Sequence, residues 1–148
     1  MKVYLSKIKI RKAKQSDINK VWKMSDVPGL ENPDKKPPRI FWIKAFLKRN
    51  QPFFIAEYNK RIIGFIFGER TVGNVAILQE IEVKKEYRNH GIGHLLLKEF
   101  EKECKKRKIV AILAYAYSKS KMPEIFKKSG YSLGSLDFEV LKFLNKEH

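Results

Sequence analysis

Scarcity narrows this chain before any motif does. One cysteine, Cys104, in 148 residues excludes an internal disulfide framework and is compatible with a reducing compartment. No apolar run reaches the length of a membrane span, and Met1–Lys9 is basic and alternating, without the apolar core of a signal peptide. A cytoplasmic protein with no membrane partner is therefore expected. Glycine (8) and proline (6) are few and form no linker, and there is no repeat or low-complexity tail. One domain spanning 1–148 is the expectation, long enough to bury about two-thirds of its unfolded surface.

Acidic residues are also scarce: 16 Asp and Glu face 32 Lys and Arg, a net charge of +16. Such a field attracts phosphates, on a nucleic acid or on a polyphosphorylated cofactor, and repels polycations. The lysines are spread along the whole chain, so a solvated basic surface accounts for the charge equally well.

The hydrophobic pattern gives an α/β (α+β) fold. Ile8 and Ile10 alternate within a strand Lys7–Lys12, and Ser16-Asp17 starts a helix that puts Ile18, Val21, Trp22 and Ser25 on one face. Val27–Pro38 is proline-rich and reads as a loop. A helix over Arg39–Lys48 follows, with Phe41, Trp42, Ala45 and Phe46 spaced for burial. Phe53–Tyr58 and Arg61–Gly68 form a hairpin about Asn59-Lys60, and Asn74–Val83 is the next strand. The period then changes to that of a helix, with Ile92, Leu95, Leu96, Phe100 and Cys104 on one face up to about Arg107. Ile109–Tyr117 is almost wholly apolar, as for a strand covered on both faces. Pro123 opens a short helix that stops at Gly130, and Tyr131–Ser135 and Asp137–Phe143 read as final strands. Asn74–Tyr117 is thus a βαβ unit with parallel strands and a right-handed crossover.

The segment joining that strand to its helix, Val83–His94, carries the chemistry. A helix N-terminus offers unpaired N–H groups and positive partial charge, which suit phosphate. Gly91 and Gly93 let the backbone come close to a diphosphate, and Arg88 adds a permanent cation and shapes the loop. A dinucleotide fingerprint lacks its third glycine and acidic residue here, and a P-loop lacks its lysine, since His94 stands in that place.

Arg88-Asn89-His90-Gly91-Ile92-Gly93 resembles the Arg/Gln-x-x-Gly-x-Gly/Ala signature of the GNAT superfamily of N-acetyltransferases, and the order of elements matches from Ile8 to Phe143. The resemblance implies a mixed, mostly antiparallel sheet of about six or seven strands with one parallel βαβ unit and about four helices. It implies acetyl-coenzyme A as cosubstrate, with no metal. The backbone of Ile81 and Val83 would bond the pantetheine arm, and Arg88, Asn89, His90, Gly91, Ile92, Gly93 and His94 would hold the pyrophosphate. A second family signature falls on Lys119–Tyr131. Gly130-Tyr131 fits it, Lys119 replaces an asparagine, and Phe126 replaces the tyrosine that often protonates the departing thiolate.

The same resemblance implies transfer of an acetyl group to a primary amine (a protein N-terminus, a lysine or a small molecule) by direct attack in a ternary complex. The acceptor groove would come from Val27–Trp42, with Asp26, Glu31 and Trp42 as lining candidates. Glu80, Gln79 and Tyr117 are the candidate catalytic residues. Gln79 and Ile77 occupy the positions at which family members often carry a base, and neither is basic. Glu80 and Glu82 are of opposite strand parity to these, which puts them on the other face, from which Glu80 would act through water. A sheet-surface carboxylate is the competing reading of Glu80. Tyr115 and Tyr117 share a strand face and read first as core aromatics.

His90 and His94 are spaced as a metal pair but lack further ligands, so phosphate contact or exposure is expected. Cys104 reads as a core residue, and Lys105–Lys108 as solvated charge at a helix end. A basic nucleic-acid- or ribosome-binding module, and a coenzyme-A-binding relic without turnover, are the alternative classes. A homodimer is left open.

Overall fold

The computed structural model describes residues 1–24, 38–116 and 121–134, of which 38–42 are described for the backbone only. The chain divides into two compact units, Met1–Tyr115 and Ala116–His148.

In the first unit the order is β1 (Lys9–Lys12), α1 (Ile18–Met24), α2 (Pro38–Lys48), β2 (Phe53–Tyr58), β3 (Arg61–Arg70), β4 (Val75–Val83), α3 (Ile92–Lys106) and β5 (Ala111–Ala114). The sheet order is β1-β2-β3-β4-β5, antiparallel except for the β4–β5 pair. The mixed, mostly antiparallel sheet and its one parallel crossover are as the sequence implies. The strand count is lower, at five among the described residues: 131–134 form no strand, and Asp137–Phe143 falls outside them.

The tightly built part is the β2–β3 hairpin. Asn59 and Lys60 both take positive φ (49° and 61°), the conformation that matches a two-residue turn to strand twist. Both strands are covered on their two faces. On one, Phe53, Ile55, Ile62, Phe65 and Phe67 pack with Ile18 and Val21 of α1 and Ile43 and Phe46 of α2. The Phe67 ring lies 4.8 Å from Phe46 and 5.0 Å from Phe53, and burying one such side chain contributes about 1.5–3 kcal/mol. On the other face α3 comes close enough to need glycine. A Cβ on Gly64 would stand 3.2 Å from Leu96 Cδ1, and one on Gly68 would stand 2.6 Å from Phe100 Cζ and 2.4 Å from the Ile77 carbonyl.

Three expectations change at the margins. β1 begins at Lys9, because Leu5–Lys7 forms a short 3-10 turn. The buried face of α3 is Ile92, Leu96, Leu97, Phe100 and Cys104, with Leu95 only half-buried. The apolar run Ile109–Tyr117 yields a strand of four residues, last in the sheet order among the described residues, with Val110, Leu113 and Tyr115 exposed. Apolar composition suggested two covered faces there, but Ala111 and Leu113 are exposed while Ile112 and Ala114 are half-buried, so one face of β5 stands open among the described residues.

One charged cluster is interior. Arg11 donates to both carboxylate oxygens of Asp17 (2.7 and 2.9 Å) and to Glu57 (3.0 Å), and the Lys14 N–H donates to Asp17 at 2.7 Å. Burial pushes the Asp17 carboxyl up, but the Arg11 guanidinium and the Lys14 N–H outweigh it and hold the group below the usual carboxylate range. In the second unit α4 (Met122–Lys128) ends at Gly130 with φ 87°, and buried Phe126 packs on Tyr131, ring centres 5.0 Å apart.

Candidate active site

The site is built where β4 outruns β5. Their parallel ladder ends at Leu78↔Ala114, while β4 continues to Val83. At that point β4 also carries a bulge: Phe67 faces Glu80 and Gly68 faces Leu78, so Gln79 is an extra residue with no counterpart on β3.

That extra residue changes which side chains share a face. Cross-strand partners point the same way. Glu80 pairs with Phe67 and Ile77 pairs with Glu69, and residues 67 and 69 are two apart on one strand. Glu80 therefore lies on the same face as Ile77, that of Phe67, α1 and α2. Strand parity had put it on the other face, and the bulge reverses that reading. Glu80 is 5% exposed. The Gln79 amide donates to the Glu69 carboxylate, Nε2 to Oε1, at 3.0 Å. Glu69 is a residue that the sequence reading passed over, because its approach to Gln79 depends on the bulge.

At the far end of β4 the chain turns through the short helix Lys85–Tyr87 into the glycine loop. Arg88 Nε donates to the Val83 carbonyl at 2.8 Å, and its Nη2 donates to the Glu82 carboxylate at 2.6 Å. The expected cation is thus paired with Glu82 and fastens the loop to the strand. Asn89 and Gly91 take left-handed φ of 63° and 82°. The His90 ring nitrogen Nδ1 lies 2.8 Å from the Arg88 carbonyl and 3.1 Å from that of Tyr87, so Nδ1 carries the proton and donates to both.

Gly91 is the N-cap of α3 and offers no side-chain acceptor to the first turn. Ile92 is 1% exposed, so only its backbone faces the loop. A Cβ on Gly93 would meet nothing within 4 Å, and its φ is not the left-handed kind that favours glycine. Nothing inside the protein demands glycine there, whereas an external group seated on the N–H groups would. His94 is exposed.

Tyr117, Lys119, Asp26 and Glu31 lie outside the described residues, and the Trp42 side chain is not described. Cys104 is buried, and that burial, partly opposed by Arg107, pushes its thiol up to about 11. It is a packing residue and not a nucleophile. An open groove of about 590 Å³ lined in part by Lys14, Lys44 and Lys48 shares no residue with the loop. Among the described residues no group of three or more His, Cys, Asp or Glu side chains could hold a metal ion, and no helix is long and apolar enough to cross a membrane.

A family model for the acetyltransferase (GNAT) family matches residues 18–130, well over half of the chain. The chain belongs to the GNAT acetyltransferase family. It is 45% identical over 49 residues to an uncharacterised N-acetyltransferase of Methanocaldococcus jannaschii, a match spanning 33% of this chain and 31% of that protein. Among solved structures, a GNAT-family acetyltransferase of Staphylococcus aureus Mu50 superposes with a TM-score of 0.69 at 24% identity, covering 82% of this chain and 81% of the other. AAC(6')-Iy, solved with the bisubstrate analogue CoA-S-monomethyl-acetylneamine, superposes with a TM-score of 0.72 at 15% identity, over 92% of this chain and 98% of its own. These structures share the fold with this GNAT chain.

Proposed function

We propose that this GNAT protein binds acetyl-coenzyme A, with the pyrophosphate on the N–H groups at the start of α3 and the pantetheine arm along Ile81 and Val83. The acetyl group then passes to a primary amine by direct attack in a ternary complex. The observation that carries this reading is Gly93, where a Cβ would point into open space at an uncapped helix N-terminus. The end of the β4–β5 ladder at Leu78 supports it, because an extended arm can lie against β4 beyond that point. The same fold carries a coenzyme A analogue in AAC(6')-Iy.

A competing reading, coenzyme A binding without turnover, draws on Gln79 and Phe126, neither of which can exchange a proton. Thiol release from acetyl-coenzyme A, measured across a panel of amines and peptides, separates the two. Release above background hydrolysis with at least one primary amine supports transfer; release with none, while coenzyme A binds, supports the second reading. Because the net charge is +16, neutral or acidic peptides should outperform spermidine at low salt, with the gap closing as salt screens the field. Spermidine as best acceptor at low salt would refute that preference.

A further inference from the structure

An amine attacks a thioester only when neutral, and an alkyl amine with a pKa of about 10.4 is almost wholly protonated at neutral pH. The transfer therefore needs a proton acceptor within reach of the incoming ammonium. Gln79 cannot serve, since an amide does not take up a proton under these conditions. Glu80, on the correct face, is 5% exposed, and an ammonium arriving from solvent has little access to it. Glu69 differs on both counts. It is an ionisable carboxylate and only half-buried.

We propose that Glu69, oriented by Gln79 at the β4 bulge, is the catalytic base that accepts the proton of the incoming amine. The inference rests on the acetyl-transfer reading above. Gln79 donates to Oε1 at 3.0 Å, and among the described residues this is the contact that fixes the carboxylate. A carboxylate has lone pairs to spare after one such bond, so Oε2 is available to a second donor. The bulge places Gln79 beside the last β4–β5 pair. An arm running back along β4 from the glycine loop past Val83 and Ile81 brings its reacting end to this same point. Glu69, opposite Ile77, then flanks the reacting end from β3.

The step balances as follows. The ammonium proton moves to a Glu69 oxygen, and the freed lone pair forms the C–N bond to the thioester carbonyl carbon. The C–S bond breaks and its electron pair leaves on sulfur. The surplus proton on nitrogen reaches sulfur through solvent, and Glu69 returns its proton to water. Ammonium and thioester become amide, thiol and one released proton.

The test compares two small nucleophiles that need little acceptor recognition. Butylamine is protonated near pH 7, whereas hydroxylamine is largely neutral there. Glu69→Gln should slow acetyl transfer to butylamine about a hundredfold or more, with the deficit shrinking as pH rises toward the pKa of the amine. Transfer to hydroxylamine should change by less than about threefold, since that nucleophile arrives already neutral and needs no proton removed before it attacks. Gln79→Leu, which frees the carboxylate, should lower kcat for butylamine about tenfold with KM unchanged. Calorimetric affinity for coenzyme A should be the same in all three proteins. Equal losses with both nucleophiles, or no loss with either, would overturn the assignment, as would a wild type that binds coenzyme A and acetylates neither. A wild type that fails to bind coenzyme A would bring down the acetyl-transfer reading itself.

Discussion

Gly64 and Gly68 are glycine because of what lies inside the protein; at Gly93 nothing inside the protein demands glycine, and the proposed ligand supplies the reason. A Cβ on Gly64 or Gly68 runs into α3 and the neighbouring strand, at 2.9 Å from the Glu82 carbonyl and 2.4 Å from the Ile77 carbonyl respectively. One on Gly93 meets nothing within 4 Å. The contrast recurs in the two arginine–carboxylate pairs. Arg11–Asp17 is largely enclosed, with side-chain exposures of 18% and 7%, whereas Arg88–Glu82 stands at 53% and 20%. Interior constraints hold the fold, whereas the open position at Gly93 answers to the ligand proposed for the loop. The two kinds of residue differ in whether a mutation should cost stability or binding.

The largest expected effect is on the interior pair. Asp17→Asn should destabilise the protein by about 3 kcal/mol near neutral pH, because it removes the charged acceptor of three hydrogen bonds and leaves the half-buried Arg11 with Glu57 as its remaining carboxylate partner. The folded carboxyl lies below its ordinary value of 3.8, so its contribution is present above that value and disappears as pH falls through the lower folded value. Urea denaturation should show the gap between wild type and Asp17→Asn narrowing on acidification from pH 5. A gap that widens would contradict the sign.

Next comes overpacking. Gly68→Ala should cost about 1–3 kcal/mol or more, since the new methyl must displace the Phe100 ring and backbone at Ile77. That corresponds to a fall in Tm of about 2–4 °C per kcal/mol for a domain of this size. Coenzyme A affinity at temperatures where the variant is folded should be unchanged. A loss of affinity without a loss of stability would erase the distinction between the two sets of glycines.

Most of the fold was legible in the sequence because it depends on local periodicity. Phe53–Tyr58 matches its strand to the residue, and the swing to helical spacing at Ile92 located α3. The glycine loop was legible for a similar reason, since Arg88–Gly93 is contiguous and its backbone conformation follows from its own residues. What sequence could not show depends on pairing between distant segments. The apolar composition of Ile109–Tyr117 did not reveal that Val110, Leu113 and Tyr115 are exposed. The bulge at Gln79 left no trace in the alternation of β4, yet it moved Glu80 to the other face and brought Glu69 within hydrogen-bond distance of Gln79. Arg88 was expected as a cation for a ligand, and only the fold shows Glu82 taking its charge.

The smallest effect on stability, and the most telling on binding, belongs to Gly93. Its side-chain position is open, and an aspartate in the first turn of α3 complements the helix dipole by about 0.3–1 kcal/mol. Gly93→Asp should therefore fold at least as well as the wild type. Calorimetric titration with acetyl-coenzyme A should nevertheless show affinity reduced about tenfold or more, or 1.4 kcal/mol, because the carboxylate takes the place proposed for the pyrophosphate. Undiminished affinity in a folded Gly93→Asp protein would contradict the assignment of this loop as the coenzyme A site.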